Sequence, residues 1–181
     1  MKTIQAINFK NKKALIRVDF NVPLNENLEV TDSTRIVSAK PTITKVLEDG
    51  GSCILMSHMG RPKSQDPALS LRHIVSTLEA VLGIEVLFSP NCIGKDAEGA
   101  CETLRPGQVL LLENLRFHSE ETKGGYDFAK ALSNLGDFYI NDAFGTAHRA
   151  HASTTIIAQF FSENKCFGSL SLIHISEPTR H

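Results

Sequence analysis

The chain has 181 residues, of which 41% are hydrophobic and 22% charged, and its formal net charge is −1. This length suits one well-buried domain, and the near-neutral charge excludes the broad basic face that nucleic-acid binding requires. The amino terminus lacks the apolar core of a secretory signal, and no apolar run approaches the roughly 18 residues needed to cross a bilayer.

The cysteines are scattered along the chain, and none of them forms a CxxC pair. They are Cys53, Cys92, Cys101 and Cys166. Cys53 and Cys166 stand among apolar neighbours, which is typical of buried free thiols. We therefore expect neither a zinc site nor a disulfide framework, and a reducing, cytoplasmic setting.

Strand and helix patterns alternate from the start of the chain. A strand is predicted over 14–18, and a helix follows whose N-cap is Thr31 or Asp32. Asp49, Gly50 and Gly51 end this helix, as a carboxyl-terminal glycine commonly does. The next strand, 52–56, is apolar throughout, which is typical of a strand covered on both faces.

The same alternation continues through the rest of the chain. Its elements are a helix capped by Ser70 and closed by Gly83, a strand over 84–87, a helix over 94–104, a strand over 109–112, a helix over 126–135 and a strand over 137–140. Strands alternating with helices predict an α/β fold with a parallel sheet and right-handed crossovers.

Polar motifs follow four of the predicted strands. Residues 19–21 follow the first strand, 57–61 the second, 113–116 the fourth and 141–149 the fifth. In open parallel sheets, ligands bind beyond the carboxyl ends of the strands. We therefore expect these motifs to share one edge of the sheet.

Arginines are the most informative members of this edge. They are Arg17, Arg35, Arg61, Arg116 and Arg149. The guanidinium group presents a planar fork of donors that matches carboxylate and phosphate oxygens. Several forks at one rim predict a small, multiply charged acid as the ligand.

Two of the motifs near the first helix have alternative interpretations. Asp19 and Asn21 project to the same side of an extended chain, where they could bind a hydroxyl and a carboxylate or could stabilise a local turn. The charge of Arg35 opposes the helix dipole, which indicates a nearby anion. The alternative partner for Arg35 is Glu29 or Asp32.

The later motifs also leave alternatives open. Gly60 would let the backbone approach a ligand closely, with Arg61 as a fork beside it, whereas His58 could be a ligand contact or a structural histidine. Glu113 and Arg116 could form an internal ion pair, since buried charges require partners.

The last motif, 141–149, is small and polar, as a close-approach loop would be. His148 and His151 flank Arg149 but have no acidic partner at a metal-like spacing. We therefore predict no metal site.

Read together, the stretches 17–23, 57–62, 111–117 and 141–153 closely resemble phosphoglycerate kinase, in the order of that family. The resemblance spans roughly residues 1–168. It implies a Rossmann-like three-layer α/β/α fold with a mostly parallel sheet, which is the amino-terminal lobe of a two-lobed enzyme. In this family the amino-terminal lobe binds 3-phosphoglycerate, and the other lobe binds Mg-ATP or Mg-ADP.

The resemblance also implies roles for particular residues. Asp19 and Asn21 would contact the glycerate portion, and Arg35 would act in catalysis beside the transferring group. The phosphate would be surrounded by His58, Arg61, Arg116 and Arg149. Phe20, Met59 and Gly60 complete the expected substrate-binding set.

The activity implied is phosphoryl transfer between 1,3-bisphosphoglycerate and ADP, which gives 3-phosphoglycerate and ATP. This reaction depends on alignment and charge neutralisation more than on proton abstraction. The family further implies a monomer in the cytoplasm, with neither a nucleic-acid nor a membrane partner.

The chain departs from the family in its last part. No segment resembles the nucleotide lobe, and 169–181 does not resemble the family continuation, so we expect a domain over 1–168 followed by a poorly packed tail. This half alone would be inactive and would hold no cofactor. The alternative is a non-catalytic module that binds a phosphorylated acid. A dehydrogenase-type nucleotide binder is disfavoured because the first strand–helix turn lacks GxGxxG.

Overall fold

The computed structural model describes residues 2–143 and 150–169. Within these ranges the chain builds one sheet of six parallel strands, in the order β3-β4-β2-β1-β5-β6. The strands are β1 (Lys13–Arg17), β2 (Ser52–Met56), β3 (Val86–Ser89), β4 (Val109–Leu112), β5 (Phe138–Asn141) and β6 (Lys165–Phe167). The predicted α/β fold with a parallel sheet is confirmed.

Helices cross over between the strands. The α-helices are α1 (Thr34–Glu48), α2 (Val75–Leu82), α3 (Lys95–Glu102), α4 (Glu120–Lys123) and α5 (Tyr126–Ser133). Short 3-10 helices cover Ile4–Ala6, Pro67–Leu69, Leu71–Ile74, Leu115–Phe117 and Ile156–Phe160. Among the described residues, no helix is both long enough and apolar enough to cross a membrane.

The sheet divides the core into two parts, one on each face. Successive strand residues point to opposite faces, so Ile16 packs with Ile43 of α1 while its neighbour Leu15 packs with Leu132 of α5. Every residue of β2 and β4 is buried. This is the three-layer α/β/α arrangement.

The helix ends show where local chemistry agreed with the prediction. Ser70 Oγ accepts a hydrogen bond from Arg72 N at 3.1 Å, and Gly83 closes α2 in a left-handed conformation with φ of 73°.

The start of α1 lies later than predicted. The Asp32 carboxylate accepts bonds from both the amide and the hydroxyl of Thr34, at 2.9 and 2.6 Å, and the helix begins there.

The sixth strand was not predicted. It is only three residues long and pairs with β5, with Tyr139 opposite Lys165 and Asn141 opposite Phe167. Beyond it, Ser169 N donates to Thr42 Oγ1 at 2.9 Å. The remainder of the expected tail, 170–181, lies outside the described residues.

All four cysteines are free and buried, as predicted for Cys53 and Cys166. Burial raises the pKa of the Cys101 thiol to about 11 and that of the Cys166 thiol to about 12. Thiols with such pKa values stay protonated near neutral pH, and they pack as small apolar groups.

Strand order places the polar motifs together. The central strand β1 lies between β2 and β5, and β4 lies beside β2. Because all strands are parallel, the loops that leave β1, β2, β4 and β5 start at the same edge of the sheet. This is the edge at which ligands bind in open α/β sheets.

Candidate functional site

Hydrogen bonds join the loops that follow β1, β2 and β4 into one unit. Phe20 N donates to Ser57 Oγ at 2.9 Å, and Gly60 N donates to Asn21 Oδ1 at 2.9 Å. Leu115 N donates to the Ser57 carbonyl at 3.0 Å. Each loop is therefore fixed by its neighbours as well as by its own strand.

Asn114 is the most connected residue of this unit, and its side chain is fully buried. Its Oδ1 accepts bonds from Met59 N at 3.2 Å and from Arg116 N at 3.0 Å. Its Nδ2 donates to the carbonyls of Met59 at 2.8 Å and Leu69 at 2.9 Å. One amide thus sets the spacing between the His58–Gly60 loop and Arg116.

Arg35 reaches from the first turn of α1 to the loop after β1. Its Nη1 donates to the Asn21 carbonyl at 2.8 Å and to Asp19 Oδ1 at 3.2 Å. The side chain remains 53% exposed, so its other nitrogens can reach a ligand. The acidic partner of Arg35 is Asp19, and not Glu29 or Asp32, the alternatives considered from the sequence.

Asp19 and Asn21 combine the two interpretations that their sequence left open. Asn21 N donates to Asp19 Oδ1 at 3.1 Å, which is the local turn. The Asn21 side chain also binds Gly60 N, which links two loops. Within the described ranges, the Asn21 side-chain NH2 has no hydrogen-bond partner, so it is free to donate to a ligand oxygen.

Arg116 and Arg61 flank Gly60. The half-buried Arg116 donates from Nη1 to the Gly60 carbonyl at 3.3 Å, whereas Arg61 is exposed. Gly60 has φ of 64°, and an added Cβ would lie 2.9 Å from Leu69 Cδ2. A glycine is needed here because the backbone is left-handed and tightly packed.

Glu113 links the residues around Gly60 and Arg116 to the 70–71 segment. Its carboxylate accepts hydrogen bonds from Ser70 Oγ at 2.6 Å, from Leu71 N at 2.9 Å and from Asn114 N at 2.8 Å. These bonds satisfy the buried charge. Glu113 therefore holds the 70–71 segment against the end of β4.

His58 is buried and contacts a fully buried arginine. Its Nδ1 lies 2.9 Å from Arg17 Nη2. Burial, and after it the positive charges of Arg17 and Arg116, lowers the pKa of His58 to about 3. The ring is therefore neutral at pH 7 and can act as a hydrogen-bond donor or acceptor.

Phe20 and Met59 have buried side chains, and the ligand contact expected of them stays a prediction. Their side chains are 0% and 2% exposed and belong to the core on the α1 face of the sheet. Both main-chain groups of Met59 bind Asn114. We assign these two residues to the support of the loops.

The loop after β5 is described only in part. Asp142 N donates to the Arg17 carbonyl at 2.8 Å, and Ala143 N donates to Asn141 Oδ1 at 3.0 Å. His148 and Arg149 lie outside the described residues. The expectation that Arg149 meets the other arginines stays a prediction.

A cleft of about 280 Å³ lies beyond the carboxyl ends of β3 and β4. Its lining includes Arg72, His73 and His118, with Glu113 and Asn114 at the side nearest the arginines. Arg35 and Arg61 do not line it, and both are exposed on the open edge of the sheet.

Among residues 2–143 and 150–169, no group of three or more histidine, cysteine or acidic side chains is placed to hold a metal ion. Guanidinium groups dominate the edge instead, and they repel a cation. The arrangement suits an anion with several oxygens.

Several structural residues of the site were not among the predicted ligand contacts. They are Arg17, Ser57, Asn114, Glu121 and Ser153. Ser57 and Asn114 lie inside recognisable motifs. Glu121 lies in an exposed-looking, charged stretch, and only the folded structure reveals that it is fully buried.

Comparison with known proteins agrees with this geometry. A family model for phosphoglycerate kinase matches residues 4–174. The phosphoglycerate kinase of Porphyromonas gingivalis is 48% identical over 192 residues, which cover 93% of this chain and 46% of that protein. The cytosolic phosphoglycerate kinase of Triticum aestivum is 49% identical over 158 residues, which cover 87% and 39%.

Solved structures give the same result. The crystal structure of phosphoglycerate kinase from Pyrococcus horikoshii OT3 superposes with a TM-score of 0.86 at 30% identity, covering 97% of this chain and 44% of that one. The enzyme from Coxiella burnetii gives a TM-score of 0.85 at 32% identity. The chain thus spans less than half the length of these relatives.

Proposed function

Because the chain belongs to the phosphoglycerate kinase family, we propose that it carries the part of that enzyme which binds 3-phosphoglycerate and 1,3-bisphosphoglycerate. The observation that supports this most is the linkage of three loops at the carboxyl edge of the sheet. It brings Arg35, His58 and Arg116 to one surface, with Arg61 beside them. The proposed binding domain covers residues 1–168.

The substrate offers two anionic ends, and the edge offers two kinds of donor. We assign the phosphate to His58, Arg61 and Arg116, with Arg149 as a proposed fourth contact. Asp19 and the Asn21 side-chain amide would bind the glycerate hydroxyl and carboxylate. Charge-assisted hydrogen bonds from guanidinium to phosphate are about twice as strong as neutral ones.

Arg35 is the proposed catalytic residue. In the reaction of the whole enzyme, the bond between the acyl oxygen and the phosphorus of 1,3-bisphosphoglycerate breaks, and a bond to the terminal oxygen of ADP forms. Arg35 is anchored by Asp19 and the Asn21 carbonyl, so its exposed nitrogens are held in place. An arginine so placed would neutralise charge on the equatorial oxygens of the transferring group.

The nucleotide belongs to the part of the family that lies outside these residues. We propose that Mg-ATP or Mg-ADP is bound by the other lobe of the whole enzyme. A monomer in the cytoplasm is the setting we propose for the whole enzyme.

Calorimetric titration of the purified chain with 3-phosphoglycerate tests the proposal. Removing one bidentate guanidinium contact is worth about 1.5–3 kcal/mol, so Arg61→Met should weaken binding roughly tenfold or more. Arg105→Met is the matched control, because Arg105 is also exposed but precedes β4, at the opposite edge of the sheet. Equal affinity for both variants would refute this placement of the ligand.

Turnover and a second ligand test two further parts of the proposal. The purified chain should form no ATP from 1,3-bisphosphoglycerate and ADP, because no nucleotide site is proposed on it. Glycerol 3-phosphate, which lacks the carboxylate, should bind more weakly than 3-phosphoglycerate. Equal affinity for the two compounds would refute the carboxylate contact proposed for the Asn21 side-chain amide.

A further inference from the structure

Arg17 differs from the other arginines of the site because its side chain is completely buried. It stands at the end of β1, and its guanidinium group is used within the protein. Its Nε donates to Ser153 Oγ at 2.8 Å, and its Nη1 donates to the Val18 carbonyl. Its Nη2 lies 2.9 Å from His58 Nδ1. Arg17 is therefore a buried structural residue beneath His58.

The contact with His58 determines the protonation of the ring. Arginine keeps its charge in proteins, and all its nitrogens are donors. His58 Nδ1 must therefore accept the hydrogen bond from Arg17, so a neutral ring carries its proton on Nε2. In the described part of the chain, Nε2 has no hydrogen-bond partner.

We propose that Arg17 is a positioning residue, which fixes His58 in its neutral form with the proton on Nε2 so that this N–H donates to the substrate phosphate. The inference rests on the proposed function and deepens it. It assigns the donor atom on His58 and the residue that determines it.

A buried network holds Arg17 in place. Ser153 donates from its hydroxyl to Glu121 Oε2 and from its amide to Glu121 Oε1 at 2.9 Å. Tyr139 donates its hydroxyl to the Ser153 carbonyl at 2.7 Å. Glu121 is fully buried and lies 4.0 Å from Arg17 Nη2, so the buried charges are paired.

The surroundings of His58 also favour the neutral ring. The groups that face it are Arg17 from β1, Arg116 from the loop after β4, Arg35 from α1, and His151. Burial and these cationic neighbours lower the pKa of His58 to about 3. A neutral ring leaves one N–H, and the contact with Arg17 determines where that N–H lies.

Long-range proton–nitrogen NMR spectra of the chain, labelled with 15N-histidine, test the proposal without any ligand. In the wild type at pH 7, His58 should show a protonated Nε2 and an unprotonated Nδ1. His73 is an internal control, because its Nε2 lies 2.8 Å from the Pro67 carbonyl and so has a partner other than Arg17. A wild-type His58 with its proton on Nδ1, or with both nitrogens protonated, would overturn the proposal.

Variants then test the role of Arg17. Arg17→Met alone would leave the buried Glu121 carboxylate without its charged partner. The main test is therefore the paired variant, Arg17→Met with Glu121→Gln. Arg17→Lys is a second variant, which preserves the charge. In the paired variant, His58 should populate both tautomers and titrate closer to its ordinary pKa, while His73 stays unchanged. If His58 keeps its tautomer and its pKa, the proposal fails.

Titration with 3-phosphoglycerate separates this proposal from the proposed function. We expect at least fivefold weaker binding by the paired variant and partial recovery in Arg17→Lys. If the paired variant changes the tautomer but binds as tightly as the wild type, Arg17 does not position a substrate donor. If the wild type itself does not bind, the proposed function fails, whereas the tautomer spectrum still decides the role of Arg17 in the site.

Discussion

The Asn114→Asp substitution tests the loop unit most directly, because it changes one atom of a buried side chain and hardly alters its shape. The Asn114 Nδ2 donates to the carbonyls of Met59 and Leu69, at 2.8 and 2.9 Å. A carboxylate cannot donate, so both carbonyls lose their partner. The two bonds that Oδ1 accepts are retained.

The expected loss of stability follows from these contacts. A buried acceptor left without a donor costs about 1–3 kcal/mol, so two such carbonyls cost about 2–6 kcal/mol. The Leu69 contact is only partly buried, which favours the lower half of this range. The bonds that the side-chain oxygen accepts from Met59 N and Arg116 N become stronger, which offsets part of the loss. We expect the free energy of unfolding to decrease by about 3 kcal/mol in total.

Urea unfolding followed by far-ultraviolet circular dichroism measures this change, since the chain contains no tryptophan for fluorescence. For a domain of this size, about 3 kcal/mol corresponds to a decrease of roughly 6–12 °C in Tm. Asn27→Asp is the matched control, because Asn27 is exposed in the turn before α1. Losses within about 0.5 kcal/mol of each other for the two variants would refute the assigned role of Asn114.

Three further predictions concern other parts of the molecule. Gly60→Ala should destabilise the chain by about 1–2 kcal/mol because the backbone at Gly60 is left-handed, and the contact of the new Cβ with Leu69 at 2.9 Å adds to this cost. Gly83→Ala is the control, because the backbone at Gly83 is also left-handed but an added Cβ there meets open space. The pKa of His58 is lowered from 6.5 to about 3, so the unfolded chain takes up the proton first. As the pH falls from about 6 to 4, the free energy of unfolding of the wild type should therefore decrease by about 1.4 kcal/mol per pH unit relative to that of His58→Gln. The buried thiols should react with Ellman's reagent only after unfolding.

Each of these results has a clear contrary outcome. Equal losses for Gly60→Ala and Gly83→Ala would show that Leu69 adjusts to the added methyl group at no cost. Parallel pH profiles for the wild type and His58→Gln would show that the ring titrates normally in the folded chain. Rapid labelling of any thiol under native conditions would contradict the burial of that cysteine.

The sheet could be predicted largely from hydrophobic pattern. Strand 109–112 has the predicted bounds, and β1 and β5 are each displaced by one residue. Strand 84–87 was predicted two residues too early, because Ile84 continues the apolar pattern although it remains exposed. The edge strand Lys165–Phe167 is too short to show any periodicity.

The site could be predicted in its location but only partly in its detail. Arg35, Arg61 and Arg116 follow from their position after strands, and their edge is where the structure places them. Motif reading also assigned Phe20 and Met59 to the ligand, because it treats adjacent residues alike. In the structure both side chains lie in the core, so any contact that they make with a ligand stays a prediction.

The buried network beneath His58 could not be predicted. Arg17 and Glu121 lie more than 100 residues apart, and no sequence pattern links them. Their pairing follows from the position of α4 over the sheet. Long-range electrostatics of this kind depends on the finished packing, and sequence patterns report only local order.

The position of β1 in the middle of the sheet has a consequence for biosynthesis. Its pairing with β5, for example Ala14 with Phe138, spans most of the chain. A nascent polypeptide leaving the ribosome therefore carries one open side of β1 until β5 has emerged. This side of the central strand can therefore complete its hydrogen bonds only late in synthesis.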